Sequence, residues 1–222
     1  MKYLLLLFIA LTITSCRMLT PSPHAIVSDP YLREKCFSAG SPGIFRVVHV
    51  IHATIRGKSS SFIGITIADV STDRIRATLL SVEGLVLLDA VDKKGSITIY
   101  QAMHPFNSKI FARGLFDDIK FMFFPPQGNL IDAKVRADGS VTCTWMDQNR
   151  VFERHTVPSG KTIVSEYDSD HRVIRRVELS PPLVKGFYTH IRMDSYDSGG
   201  YSLSLGLLEG GPLDRLDGLF SP

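Results

Sequence analysis

Past residue 12 the sequence holds no apolar run approaching about 18 residues, so no later segment reads as a membrane-spanning helix. An excess of one charge is also missing. Lys and Arg number 25 against 22 Asp and Glu, scattered rather than gathered in a block, which argues against a dedicated nucleic-acid binder. Cysteine is scarce, with three in 222 residues, and no two of them form a CxxC pair. No HExxH or other zinc-ligand spacing occurs, and no GxSxG elbow or phosphate loop. His49 and His52 lie three apart in a strand-like stretch, on opposite faces, where they cannot clip one metal ion. Asp168 and Asp170 flank Ser169 as turn residues, and Gly199-Gly200 and Gly210-Gly211 also read as turns. These absences predict neither an enzyme nor a bound metal or cofactor.

What is present begins with Lys2 and the apolar run Leu4 to Leu11, which has the length of a signal peptide core. Ile13-Thr14-Ser15-Cys16 follows and resembles the bacterial lipobox: an aliphatic residue, two small residues and a cysteine whose thiol can form a thioether. The resemblance implies that residues 1–15 are a removable signal and that Cys16 carries lipid. Each buried methylene adds about 0.8 kcal/mol, so two or three chains hold a domain to a membrane without a spanning helix. Arg17 stands where aspartate gives inner-membrane retention in the best-known sorting rule, so the expected location is the outer membrane, facing the periplasm. Cys36 and Cys143 remain. In an oxidising compartment they either join as a disulfide or stay as two buried thiols.

Residues 16–43 read as a lipidated tether with prolines at 21 and 23, followed by a short helix capped by Asp29 and opened by Pro30. From Ile44 the period becomes two. Phe45, Val47, Ile51, Ala53 and Ile55 share a face. Ile63, Ile65 and Ile67 form the next inward set, followed by Ile75, Ala77 and Leu79, then Leu85 to Val91, then Ile97 and Ile99. Five short strands with tight turns make an antiparallel meander. The period then changes. Asn107-Ser108 can cap a helix running to about Phe123, with Phe111, Leu115, Ile119 and Met122 close to one stripe, and Pro125-Pro126 stops it. About seven strand signals follow, including Val141, Cys143 and Trp145 on one face, Ile191 with Met193, and Leu203 with Leu205. Residues 44–208 form the expected domain and residues 209–222 a loose tail.

Nearly every strand is apolar on one face and polar on the other, and few helices are available to cover the apolar side. The expected fold is mainly β: a curved antiparallel sheet of about 11 to 12 strands, with one main helix as its lid or plug. A curled sheet of this kind can leave an apolar cavity. Its candidate lining is Ile63, Ile65, Ile67, Leu79, Ile97, Ile99, Phe111, Leu115, Ile119, Met122, Trp145, Ile191 and Leu203. The same residues would be plain core if the interior is filled. Arg175 falls on the apolar side of its strand by strict alternation, so it either faces a lipid headgroup or marks a bulge or an edge.

A lipobox, a meander, one amphipathic helix ending at proline, and a second meander together resemble the LolA/LolB superfamily, and more closely LolB-like lipoproteins. The likeness is carried by Arg76 to Ile99, the helix from Ser108 to Pro125, and Ile163 to Leu179. It implies an unclosed barrel with a helical lid, a cavity that accepts acyl chains, and a part in lipoprotein or lipid transport. LolB inserts lipoproteins using an exposed leucine before a glycine. In the matching loop, Ser81-Val82-Glu83-Gly84, Glu83 takes that place, and a carboxylate does not enter lipid cheaply. The expected partners are the membrane, through the N-terminal lipid, and an acyl chain or lipoprotein ligand. The alternative is a structural or assembly lipoprotein that binds other envelope proteins without a cavity.

Overall fold

The computed structural model describes residues 29–37, 43–182, 187–197, 199–214 and 220. Cys16 and the tether of residues 17–28 lie outside the described residues. Helix α1 (Pro30–Phe37) comes first, then strands β1 (Ile44–Ile55), β2 (Lys58–Asp69), β3 (Arg74–Leu80), β4 (Val86–Lys93) and β5 (Ser96–Ala102). Helix α2 (Lys109–Phe123) follows. The remaining strands are β6 (Asn129–Val135), β7 (Val141–Asp147), β8 (Arg150–Thr156), β9 (Thr162–Tyr167), β10 (Val173–Leu179), β11 (His190–Ser195) and β12 (Tyr201–Pro212). No helix among the described residues is long and apolar enough to cross a membrane.

All twelve strands form one sheet in the order β5-β4-β3-β2-β1-β12-β11-β10-β9-β8-β7-β6. Every pairing is antiparallel. The first and last strands meet at the centre, from Phe45 opposite Pro212 to Ile55 opposite Tyr201. Each meander spreads outward from that seam, leaving β5 and β6 as edges, so the barrel is unclosed. β12 continues to Pro212, past the expected end at residue 208, because its last residues pair with the start of β1. Farther on, Phe220 is buried, and Tyr100 Oη donates to its carbonyl at 3.3 Å.

The topology dictates where α2 goes. It links β5 to β6, the two free edges, so the chain must cross the concave face between them. Fifteen residues of helix span about 22 Å, enough for that crossing. Ser108 caps it, its Oγ accepting from Phe111 N at 3.1 Å, and Pro125-Pro126 follows its last turn. Ala112, Phe116, Ile119, Met122 and Phe123 are buried beneath it, against Phe45, Val47, Ala77 and Leu79 of the sheet.

The concave face has a second cover. Asp29 caps α1 through Tyr31 N, and the helix lies on β6 and β7 over a separate cluster of Cys36, Leu130, Cys143 and Trp145. Cys36 and Cys143 are joined as a disulfide.

Isoleucines 63, 65 and 67 correct the expected facing of β2. Their side chains point to the convex side, and Gly64, Thr66 and Ala68 point inward. Period two cannot set the phase of a strand when both faces carry small or apolar residues. Packing sets it here: Thr66 sits between Val47 and Ala77, and Ala68 between Phe45 and Ile75. With large side chains opposite and α2 above, small residues fit. Gly64 is the extreme case, since a Cβ there would lie 2.5 Å from Ile51 Cδ1. The isoleucines instead pair outside, Ile63 with Val50 and Ile65 with Val48.

Candidate functional site: the space under and beside the long helix

A cavity of about 40 Å³ lies between α2 and the sheet. Leu79, Leu115, Ile119, Met122 and Leu203 border it, as does Ile65 beside Gly64. Among the other expected residues, Ile97, Ile99 and Phe111 pack at the border of the main core and Ile191 is buried within it. Ile63 and Ile67 face outward. Trp145 is fully buried, but beneath α1 rather than α2. That is a correction with a physical cause: the Cys36–Cys143 disulfide pins the short helix over β7, so Trp145 fills a cluster of its own.

A second space, of about 420 Å³, opens beside the C-terminal end of α2. Its apolar walls are Phe121, Phe124, Pro125, Pro126, Phe152 and Val164, and Arg150 and Arg175 add charge. Gly128 allows the wall to form. Its φ is +96°, and a Cβ there would lie 2.3 Å from the Met146 carbonyl oxygen, so only glycine brings the chain after α2 this close to β7.

Between the two spaces runs a chain of buried polar groups that sequence reading largely missed. Arg175 follows a bulge between Val173 and Arg175 and turns inward. Of the readings foreseen for it, the bulge is the one seen, and the guanidinium turns to two carboxylates of the protein. Its Nε donates to Glu166 Oε2 at 2.6 Å, and its Nη1 to Asp118 Oδ1 at 3.2 Å. Its Cζ stands 4.7 Å from the centre of the Phe121 ring. Tyr201 Oη donates to Asp118 Oδ2 at 2.5 Å, and Arg150 Nη1 to the other oxygen of Glu166 at 2.7 Å. Glu166 is fully buried. The signal was legible as a pair: Glu166 shares a face with Val164, opposite Arg175 on the next strand, so two apolar-side charges of opposite sign faced each other.

Asp118 belongs to α2, and Arg175 and Tyr201 to the sheet, so this chain ties the helix down at mid-length. Two residues on, Lys120 Nζ reaches Asp92 at 2.8 Å and Asp73 at 2.9 Å, near the end of β4 and in the β2–β3 turn. His49 packs against Phe123, and burial pushes its imidazole down to about 4, so it is neutral at neutral pH. His52 is exposed on the opposite face, beside Ser61. Among the described residues no three His, Cys, Asp or Glu side chains converge to hold a metal.

Burial also pushes the Asp118 carboxyl up, to about 6, against the pull of its hydrogen bond from Tyr201 and of Arg175. The unfolded chain titrates this group near its ordinary value of about 4. Between these values the folded protein holds the proton and the unfolded chain does not. Stability from this group is therefore present in acid and is lost as pH rises through about 6. Urea unfolding of the wild type and Asp118→Asn at pH 4, 5, 6 and 7 tests this. The wild type should gain up to roughly 3 kcal/mol on the variant between pH 7 and pH 4. A difference that stays flat over that range contradicts the assignment.

The fold and its covered concave face define a lidded, unclosed antiparallel half-barrel. A LolA superfamily protein of Nitrosomonas europaea matches it with a TM-score of 0.56 and 11% identity, over 86% of this chain and 96% of that one. A Vibrio parahaemolyticus domain described as an outer membrane lipoprotein-sorting protein matches with a TM-score of 0.52 and 8% identity, over 86% and 95%. No family model and no curated protein matches the sequence. The chain therefore shares the fold of these two structures, one of them a LolA superfamily protein.

Proposed function

We propose that this chain is a lipid-anchored protein of the outer membrane, facing the periplasm, that binds acyl chains between α2 and the concave face and serves lipoprotein or lipid transport. One observation carries the reading: α2 covers an apolar face over a residual cavity and is tied down at mid-length by a few polar contacts. A space of about 40 Å³ holds only a few waters, at about 10–15 Å³ each, so an acyl chain enters only when α2 lifts. The wider groove beside Phe121 and Phe124 gives a route in. Lipid on Cys16 would hold the domain at the membrane, and the Cys36–Cys143 disulfide suits an oxidising compartment. The similar structures, one of them a lipoprotein-sorting domain by its description, support the reading through fold alone.

The test is titration of a fluorescent fatty acid below its micelle concentration into the wild type and Lys120→Met. The variant frees one turn of α2 from Asp73 and Asp92 and should take up the probe faster. No uptake by either protein, both folded, sinks the acyl-binding reading. The small size of the resting cavity would then favour the other reading, an anchored scaffold that binds envelope proteins with its surface.

A further inference from the structure

We infer that the groove beside the C-terminal end of α2 binds the head of a zwitterionic amphiphile, one carrying a phosphate and a primary ammonium two carbons apart. This rests on the acyl-binding reading and names the head group of the ligand whose chain α2 would cover.

The groove, of about 420 Å³, is large enough for a head group and the start of a chain. Its charged groups are arranged in a particular way. Asp147 and Arg150 are direct cross-strand partners on β7 and β8, and both line the groove. Opposed side chains of this kind start about 5 Å apart. They are of opposite sign, yet they do not pair with each other. Arg150 turns Nη1 to the buried Glu166 at 2.7 Å, which fixes the guanidinium. A guanidinium has five N–H donors, and its side chain is 59% exposed, so donors remain for a ligand. The Asp147 side chain makes no hydrogen bond or ion pair among the described residues, and neither does the side chain of Asp117, which lines the groove from α2. Arg175 is already spent on Glu166 and Asp118, and Lys120 on Asp73 and Asp92.

These charges decide the class of ligand. A simple anion on Arg150 would lie beside the carboxylates of Asp147 and Asp117, and like charges at that range repel. A simple cation on Asp147 would lie beside Arg150. A head with both charges, joined by a two-carbon bridge, satisfies the pair at the cross-strand spacing. The phosphate accepts from Arg150 while the ammonium donates to Asp147, its cross-strand partner. Phe121, Phe124 and Phe152, which line the groove, then receive the apolar part.

The test uses the full chain carrying Cys16→Ala, so that no lipid is attached. Calorimetric titrations compare dihexanoyl phosphoethanolamine with dihexanoyl phosphoglycerol, both below their micelle concentrations. The first should bind about tenfold more tightly or better, the worth of one charged hydrogen bond. Asp147→Asn should remove that preference and leave the phosphoglycerol lipid unaffected or slightly tighter. Arg150→Met should weaken both by about tenfold. Equal binding of the two lipids to the wild type overturns the inference, as does a preference that survives Asp147→Asn in a folded variant. The fluorescent fatty acid, run on the same preparation, separates the two claims. Its binding without head-group preference leaves the acyl-binding reading standing and removes this one. Head-group preference without fatty acid uptake does the reverse.

Discussion

Replacing Cys36 and Cys143 together by alanine is expected to lower the unfolding free energy by roughly 3–5 kcal/mol and to shift the fluorescence of the sole tryptophan to the red. The disulfide joins residues 107 apart, so it restrains a long loop of the unfolded chain. It also does local work. Helix α1 has eight residues, too few to be stable alone, and Cys36 is its one buried residue. Tyr31 is 59% exposed and Phe37 43% exposed. Little besides the covalent link and the Arg154 bond to the Cys36 carbonyl, at 3.1 Å, holds the helix on the sheet. Beneath it, Trp145 is fully buried, with Phe37 at its edge and the Arg154 guanidinium over its ring. Once α1 leaves, Trp145 and Leu130 meet water, while the core under α2 stays closed. Denaturant unfolding gives the first quantity and native-state emission the second. An unshifted emission maximum with a loss below about 1 kcal/mol would show that α1 is held by contacts other than the disulfide.

Much of the fold was legible in the sequence because each strand repeats one physical constraint. β3 shows it clearly: Ile75, Ala77 and Leu79 are buried, with Arg74, Arg76 and Thr78 opposite. The helix was equally plain, since Ser108 and Pro125-Pro126 mark both ends by local chemistry. What failed was phase and partnership. In β2 the large residues suggested the core face, but the depth available under α2 admitted only Gly64, Thr66 and Ala68. In β6 a bulge after Leu130 puts Leu130, rather than Ile131, opposite Trp145. Such shifts depend on the neighbouring strand, which a single segment does not encode. The disulfide needed a distance between residues 107 apart. Asp118 looked like a polar position on a helix, and nothing local showed that the helix would lay it on Tyr201.

Arg175→Met is expected to destabilise the protein by roughly 3–5 kcal/mol, because it strands two buried carboxylates at once. Glu166 has no exposed surface, and the Asp118 side chain is 9% exposed. Without the guanidinium, Glu166 keeps only Arg150, which approaches from the solvent side, and Asp118 keeps only Tyr201. Methionine fills similar volume against Phe121, so the loss is electrostatic rather than a cavity. If stranded charge is the cause, adding Glu166→Gln to Arg175→Met should recover part of the stability, even though Glu166→Gln alone is destabilising. That reversal of sign separates a buried ion pair from simple packing, and a further loss in the double variant would contradict it. The same pair of proteins tests how the helix is held. Asp118 and Phe121 of α2 both contact Arg175, so amide exchange in α2 should quicken more than exchange in β1 and β12. Equal acceleration everywhere would mean that Arg175 supports the whole fold and has no special hold on α2.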